Sequence, residues 1–334
     1  MLARGWARLR RPNPLVAVVV LLVAAGGIVQ FADHSAHPFT YFYLPEAPMG
    51  GRDFTEDAEL FWAPPDHFRS IDELARRTPE ENRLFFFGGS VVYGYHTDRS
   101  FPAVLQNRLK DDGRHAGLTV LNYSFPAYTS QQSRILARRV LSRFRGRLIF
   151  VSHGGNEVTH GAISDRQAYE RNRLLETRVR YWLNQVKLYG LARRLLLRFR
   201  DEVTGPKSQR EESGAVRISA SEFRDDLLDF IRLAREYRMK LVFMSEENFV
   251  VANRLLEDPY FQAMADLARE HPEVAYLDVR AFLRRFARGE YPDHVYSTEN
   301  DKNIFLDSCH LAPLGNKLVG GFLYDELLRR GLLD

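Results

Sequence analysis

Short apolar runs alternate with amphipathic stretches over most of this chain. "LFFFGG" (84–89) reads as a buried strand, and "FPAVLQNRLKDD" (101–112) as a helix with one apolar face. "LTVLNYS" (118–124) and "RLIFVSHGG" (147–155) repeat the strand pattern, with the helical "SQQSRILARRVLSRF" (130–144) between them. A long arginine-rich stretch from about 165 to 200 is helical in period. The polar segment "DEVTGPKSQREESG" (201–214) has no apolar period at all. Helix, strand, helix and strand then follow: "SASEFRDDLLDFIRLAREY" (219–237), "KLVFMSEE" (240–247), "DPYFQAMADLAREH" (258–271) and "VAYLDV" (274–279). The first of these opens on a Ser/Glu capping signature. "APLGNKLVGGFLYDELLRR" (312–330) closes the chain as a helix.

Unbroken apolar strands separated by helices predict an α/β/α sandwich with a mostly parallel, five-stranded sheet covered on both faces. In such folds ligands bind beyond the carboxyl ends of the strands, so the residues just after each strand are the ones to inspect. No internal repeat is visible.

The N-terminus breaks the pattern. Arg4, Arg8, Arg10 and Arg11 precede an apolar run from Leu15 to Ala32 in which Gln30 is the one polar residue. As a helix that run spans about 27 Å, close to the ~30 Å hydrocarbon core of a bilayer. The basic flank predicts a cytoplasmic segment (1–12), a single membrane anchor (13–32), and the remainder at the outer face of the cytoplasmic membrane. A cleaved signal peptide is the rival, but small residues at a cleavage site fit poorly around Ala32 and Ala36. Residues 33–80, rich in proline and aromatics, read as a linker or cap without regular elements, and 81–334 as the main domain with a helical insertion at about 160–215.

Composition adds little. Of 334 residues, 45% are hydrophobic and 27% charged, enough for a full core. The net charge of +4 is spread over helices and argues against nucleic-acid binding. A single cysteine, Cys309, excludes an intramolecular disulfide and reads as a small buried hydrophobe. His96, His160 and His294 lack metal-ligand spacing, and neither a metal nor a cofactor is expected.

Polar residues collect at three strand ends and before the last helix: Ser90; Asn122, Ser124 and Ala127; Asn156 and Glu157; Asp307 and His310. A serine hydroxyl is a weak nucleophile and needs an adjacent imidazole, which in turn needs a carboxylate to fix its tautomer. Asp307 and His310, three apart, can meet within one turn. Attack on an ester also creates an oxyanion, for which the backbone N–H of Ser90, one near Ala127 and the side-chain amide of Asn156 are candidate donors. Each residue alone has a plainer reading: Ser90 and Asn156 in turns, His310 near a helix cap, His153 as a structural imidazole.

"GGSVVYG", "NYSFPA", "GGNE" and "DSCH" fall in the order and approximate spacing of the four signature blocks of the SGNH hydrolases, the GDSL esterase/lipase superfamily. The resemblance runs from about Arg83 to the C-terminus. It implies a three-layer α/β/α fold, Ser90 as nucleophile, Asp307 and His310 as its triad partners, and Asn156 as an oxyanion donor. Two positions depart from the family: Gly89 stands where Asp usually precedes the nucleophile, and Ala127 where block two has glycine. If the backbone there needs positive φ, alanine is strained. Glu157 in place of the commoner Asp reads as a minor change. The expected function is a serine esterase acting on acyl esters, O-acetyl or lipid, of an acylated carbohydrate or lipid substrate at the membrane's outer face. An acyltransferase acting on envelope polysaccharide, which differs only in the nucleophile that meets the acyl-enzyme, and a non-catalytic binding or assembly protein on the same fold stay open.

Overall fold

The computed structural model describes residues 55–57, 59–95, 97, 99–161, 163–175, 179, 214–246, 259–287, 304–307 and 309–334. Apart from 170–175 and 179, these lie in one compact unit formed by 53–169 and 213–334. The expected basic segment (1–12), the expected anchor (13–32) and most of the expected insertion fall outside the described residues. No helix among the described residues is long and apolar enough to cross a membrane.

Chain order gives strands β1 (Thr55–Asp57), β2 (Phe61–Ala63), β3 (Arg83–Gly88), β4 (Thr119–Asn122), β5 (Leu148–Ser152), β6 (His160–Gly161), β7 (Ala215–Val216), β8 (Lys240–Met244) and β9 (Val274–Leu277). The helices are α1 (Pro65–Arg77), α2 (Ser90–Tyr93), α3 (Phe101–Asp111), α4 (Ser130–Leu141), α5 (Asp165–Arg173), α6 (Ala220–Tyr237), α7 (Pro259–Glu270), α8 (Val279–Ala287) and α9 (Pro313–Arg329).

The five-stranded sheet runs β4-β3-β5-β8-β9 and every pair in it is parallel. Its strands are apolar at consecutive positions because both faces are covered. Leu84, Phe86, Leu148, Phe150, Val242 and Met244 join residues of α3, α8 and α9 in one core. Residues of opposite parity face the other layer, where Phe87 meets Phe230 of α6. In register, Phe86 pairs with Phe150, and their rings stack with centroids 4.1 Å apart. The capping box expected at Ser219 and Glu222 is formed in full.

The reading of 33–80 as a segment without regular elements is corrected over its second half. Residues 55–63 form an antiparallel hairpin, and α1 follows with Pro65 in its first turn. Proline there removes an N–H that the helix does not use, so the Pro-Pro pair starts a helix instead of excluding one. Leu60, Phe61 and Trp62 are buried. Helix α8 was also not foreseen.

Candidate active site

β3 delivers the chain to the rim of the sheet, where Gly88 ends the strand, Gly89 is extended and Ser90 opens α2. The turn is tight because α2 folds back over the strand end. A Cβ on Gly88 would lie 2.3 Å from Val92 Cγ2 and 2.8 Å from the Ser152 carbonyl, so only glycine fits. Asn122, at the end of β4, donates through Nδ2 to the Val92 carbonyl at 3.0 Å and ties α2 to the neighbouring strand.

The segment before α9 is a compact loop. Phe305 and Leu311 form an antiparallel bridge, and Ala312 N–H donates to the Ile304 carbonyl at 2.7 Å. Inside it the Asp307 carboxylate accepts from the N–H groups of Cys309 (2.9 Å) and His310 (2.8 Å) through Oδ1, and Oδ2 lies 2.6 Å from His310 Nδ1. His310 Nε2 is 2.8 Å from Ser90 Oγ. Two residues 220 positions apart therefore share a hydrogen bond, with the carboxylate on the far side of the ring. Buried Asn316 anchors the loop: its Oδ1 accepts from Phe101 N–H at 2.8 Å, and its Nδ2 donates to the carbonyls of Leu311 and Ala312.

Partial burial alone would raise the Asp307 pKa. Hydrogen bonds from Cys309 N–H, the His310 ring and His310 N–H outweigh it and hold the carboxyl down at about 2. The group is thus a carboxylate throughout the physiological range, able to fix Nδ1 as a donor and leave Nε2 as the acceptor for the serine proton. Cys309 is not the deeply buried residue expected. It is half-buried, with Sγ 3.7 Å from His310 Nδ1. Asp307, Cys309 and His310 are also the one group among the described residues whose donor atoms could surround an ion, but Nδ1 and the carboxylate are already engaged with each other.

Asn156 comes from the loop after β5. Its Nδ2 donates to the Tyr128 carbonyl at 2.9 Å, which uses one of the two amide hydrogens. A Cβ on Gly89 would sit 2.7 Å from that nitrogen and 3.4 Å from the Tyr128 carbonyl. Blocks one, two and three thus converge beside Ser90. Ala127 does adopt positive φ, at 61°, a conformation that costs an L-residue roughly 1–2 kcal/mol. No described residue accepts from its N–H.

Glu157 proves to be more than a minor change. Its carboxylate is fully buried and accepts from Ser130 N–H (2.7 Å) and Gly154 N–H (2.8 Å), bracing the Asn156 loop against the start of α4. Glu246, buried at the end of β8, accepts from Ser152 Oγ at 3.1 Å. Burial pushes Glu157 up to about 7; burial and the nearby Glu157 charge push Glu246 up to about 8. His153 is held down to about 3 by burial and by the charge of Arg217, so its imidazole is neutral, with Nδ1 3.4 Å from Glu157 Oε1. Its role is structural.

This is a hydroxyl–imidazole–carboxylate chain next to a side-chain amide, arranged at the carboxyl end of a parallel sheet. The family model of the GDSL-like lipase/acylhydrolases matches residues 86–318, which includes every residue of the cluster. The chain belongs to the GDSL-like lipase/acylhydrolase family. As a member of it, the protein is a hydrolase of ester bonds. No curated protein sequence matches the chain. Among solved structures, it is similar to the acetyl xylan esterase AlAXEase, with 13% identity, 73% of this chain and 99% of the other covered, and a TM-score of 0.46. The psychrotrophic esterase EstA from Pseudoalteromonas sp. matches at 10% identity over 75% of this chain and 98% of its own, with a TM-score of 0.45. The lipase/acylhydrolase from Enterococcus faecalis matches at 15% identity over 75% and 96%, with a TM-score of 0.43. Likeness at this level says nothing about substrate.

Ser90, Asp307, His310 and Asn156 come together as the motif spacing predicts, with Ala127 on the adjoining loop. Sequence reasoning missed Tyr128, whose carbonyl holds Asn156, and Asn316, which anchors the His310 loop. It also missed the buried pair Arg217 and Asp165 behind Ala127. Only Glu157 carried a signal, through its place beside Asn156.

Proposed function

We propose that the protein is a serine esterase in which Ser90 attacks the carbonyl carbon of an acyl ester. His310 Nε2 takes the hydroxyl proton, and Asp307 holds the ring and stabilises the imidazolium. Asn156 Nδ2 and the backbone N–H groups of Ser90 and Ala127 receive the oxyanion. The imidazolium then gives its proton to the leaving alcohol as the ester C–O bond breaks. Water, deprotonated by the same imidazole, cleaves the acyl-enzyme and frees Ser90. The observation that carries this reading is the 2.8 Å contact of His310 Nε2 with Ser90 Oγ, with Asp307 2.6 Å from the other ring nitrogen.

The substrates are acyl esters, O-acetyl or lipid, of carbohydrate or lipid at the outer face of the cytoplasmic membrane. Support comes from the arginine-flanked apolar run at 15–32, which fits a membrane anchor with the domain exported. The test is release of acetate or fatty acid from O-acetylated polysaccharide and phospholipid vesicles, with p-nitrophenyl acetate as the reference ester. Wild type should hydrolyse the reference ester and at least one of the two natural classes, and Ser90→Ala should hydrolyse none. Equal hydrolysis by the two proteins would refute the role of Ser90. Activity on the reference ester alone would refute the substrate assignment.

A further inference from the structure

Ala127 holds a backbone conformation that alanine disfavours, and something must keep it there. Its carbonyl accepts a hydrogen bond from Arg217 Nη1 at 2.9 Å. Arg217 follows β7, about ninety residues downstream, and its side chain is 2% exposed. Asp165 grips the guanidinium with both oxygens, at 3.0 Å to Nε and 2.9 Å to Nη2, and Gln132 Oε1 lies 3.1 Å from Nη2. The Trp62 ring covers the guanidinium at 5.9 Å.

The same partners hold the two residues that follow Ala127. Tyr128 donates its hydroxyl to the Trp62 carbonyl at 2.7 Å, and Thr129 donates Oγ1 to Asp165 Oδ2 at 2.8 Å. Arg217 itself is fixed by its main chain, whose N–H donates to the Thr159 carbonyl and whose carbonyl accepts from Asp165 N–H, both at 2.9 Å. The N–H of Ala127 belongs to the peptide that joins it to Pro126, and Phe125, on the near side of that peptide, is held by donating its N–H to the Gly88 carbonyl at 3.0 Å. The hold on the Ala127 carbonyl pins the far side of the same turn, so the peptide that carries this N–H is held from both ends while φ stands at 61°.

We propose that Arg217, locked on Asp165, is a positioning residue for the oxyanion site: it clamps the Ala127 carbonyl so that the strained backbone keeps its N–H aimed at the reacting carbonyl oxygen. This rests on the reading of Ser90 as nucleophile given above. It also accounts for alanine in a conformation that favours glycine, because the clamp supplies what the side chain removes.

Arg217→Lys keeps a cation beside Asp165, but one ammonium cannot span both carboxylate oxygens and the Ala127 carbonyl. It should lower kcat on p-nitrophenyl acetate about 10–100-fold with KM within about threefold, as loss of a transition-state donor does. Adding Ala127→Gly should restore kcat to within about threefold of Ala127→Gly alone, since glycine holds positive φ without a clamp. A buried ion pair that served only stability would give the same loss in both backgrounds. Should the lysine variant unfold, Arg217→Met combined with Asp165→Asn removes both charges together and is read in the same way. An arm independent of turnover is amide hydrogen exchange of the 125–130 segment, which should quicken in Arg217→Lys. Unchanged kcat, a change confined to KM, equal losses with and without Ala127→Gly, or unchanged exchange would each overturn the proposal. Retention of wild-type activity by Ser90→Ala would instead overturn the nucleophile assignment, leaving the exchange arm to judge the clamp.

Discussion

The amide nitrogen of Asn156 stands where a side chain on residue 89 would have to begin: a Cβ built on Gly89 falls 2.7 Å from Nδ2. Glycine at 89 is thus matched to the position of Asn156 in this chain. Gly89→Ala should push the amide aside without touching the Ser90–His310 pair. The expected result is a fall in kcat of about 10–100-fold at nearly unchanged KM, the scale of a displacement near 1 Å in an active site. Steady-state kinetics beside Asn156→Ala checks it, and the double variant should lose little more than either single one, because both act on one donor.

Asp307→Asn should leave the fold intact and lower kcat roughly 10²–10⁴-fold, because an amide no longer selects the Nδ1–H tautomer or stabilises the imidazolium. With Asp307 held at about 2, its titration lies below the working range. The kcat/KM profile should therefore show no step from protonation of the Asp307 carboxylate above about pH 4. A profile measured from pH 4 to 9 decides this.

Glu157 and Glu246 make stability depend on pH. Both native pKa values, about 7 and about 8, lie above the ordinary 4.5. Between about pH 4.5 and 8 the native state therefore holds protons that the unfolded chain has released, and stability falls as pH rises through that window. Glu246→Gln should flatten the decline, stabilising the protein by about 2 kcal/mol at pH 8–9 and by little at pH 5. Thermal unfolding at the two pH values measures it; equal shifts at both would contradict the assignment.

Asn316 joins the start of α3 to the loop that carries His310. Asn316→Ala leaves the Phe101 N–H and two carbonyls without this buried partner, so a loss of about 1–3 kcal/mol in stability is expected. Activity should fall as well, since the loop's hold on His310 loosens. A denaturation curve and one rate constant test both statements.

The alternation of apolar strands and amphipathic helices was sufficient to read the parallel sheet, because strands buried on both faces leave no room for polar positions. The cluster of Ser90, His310, Asp307 and Asn156 was legible for a different reason: a candidate nucleophile, base, carboxylate and amide donor each demand a particular residue type at a strand end or helix start. The supports were not legible. Tyr128 holds Asn156 through its carbonyl, and a main-chain group carries no residue-type signature. Arg217 and Asp165 meet only because the chain near 159–165 and the 215–218 segment run side by side, and nothing in "AVRIS" (215–219) marks which distant carboxylate its arginine will meet. Helix α1 was hidden by the Pro64–Pro65 pair, which the sequence pattern shows as a breaker but which here begins a helix.

The central claim is that Ser90 is an activated nucleophile, and covalent labelling by a fluorophosphonate measures this without a choice of substrate. Mass spectrometry of the labelled protein should place a single adduct on Ser90, formed at a rate that drops sharply in His310→Ala and Asp307→Asn. An unmodified Ser90 in the folded protein, or labelling at the same rate in His310→Ala, would contradict the account.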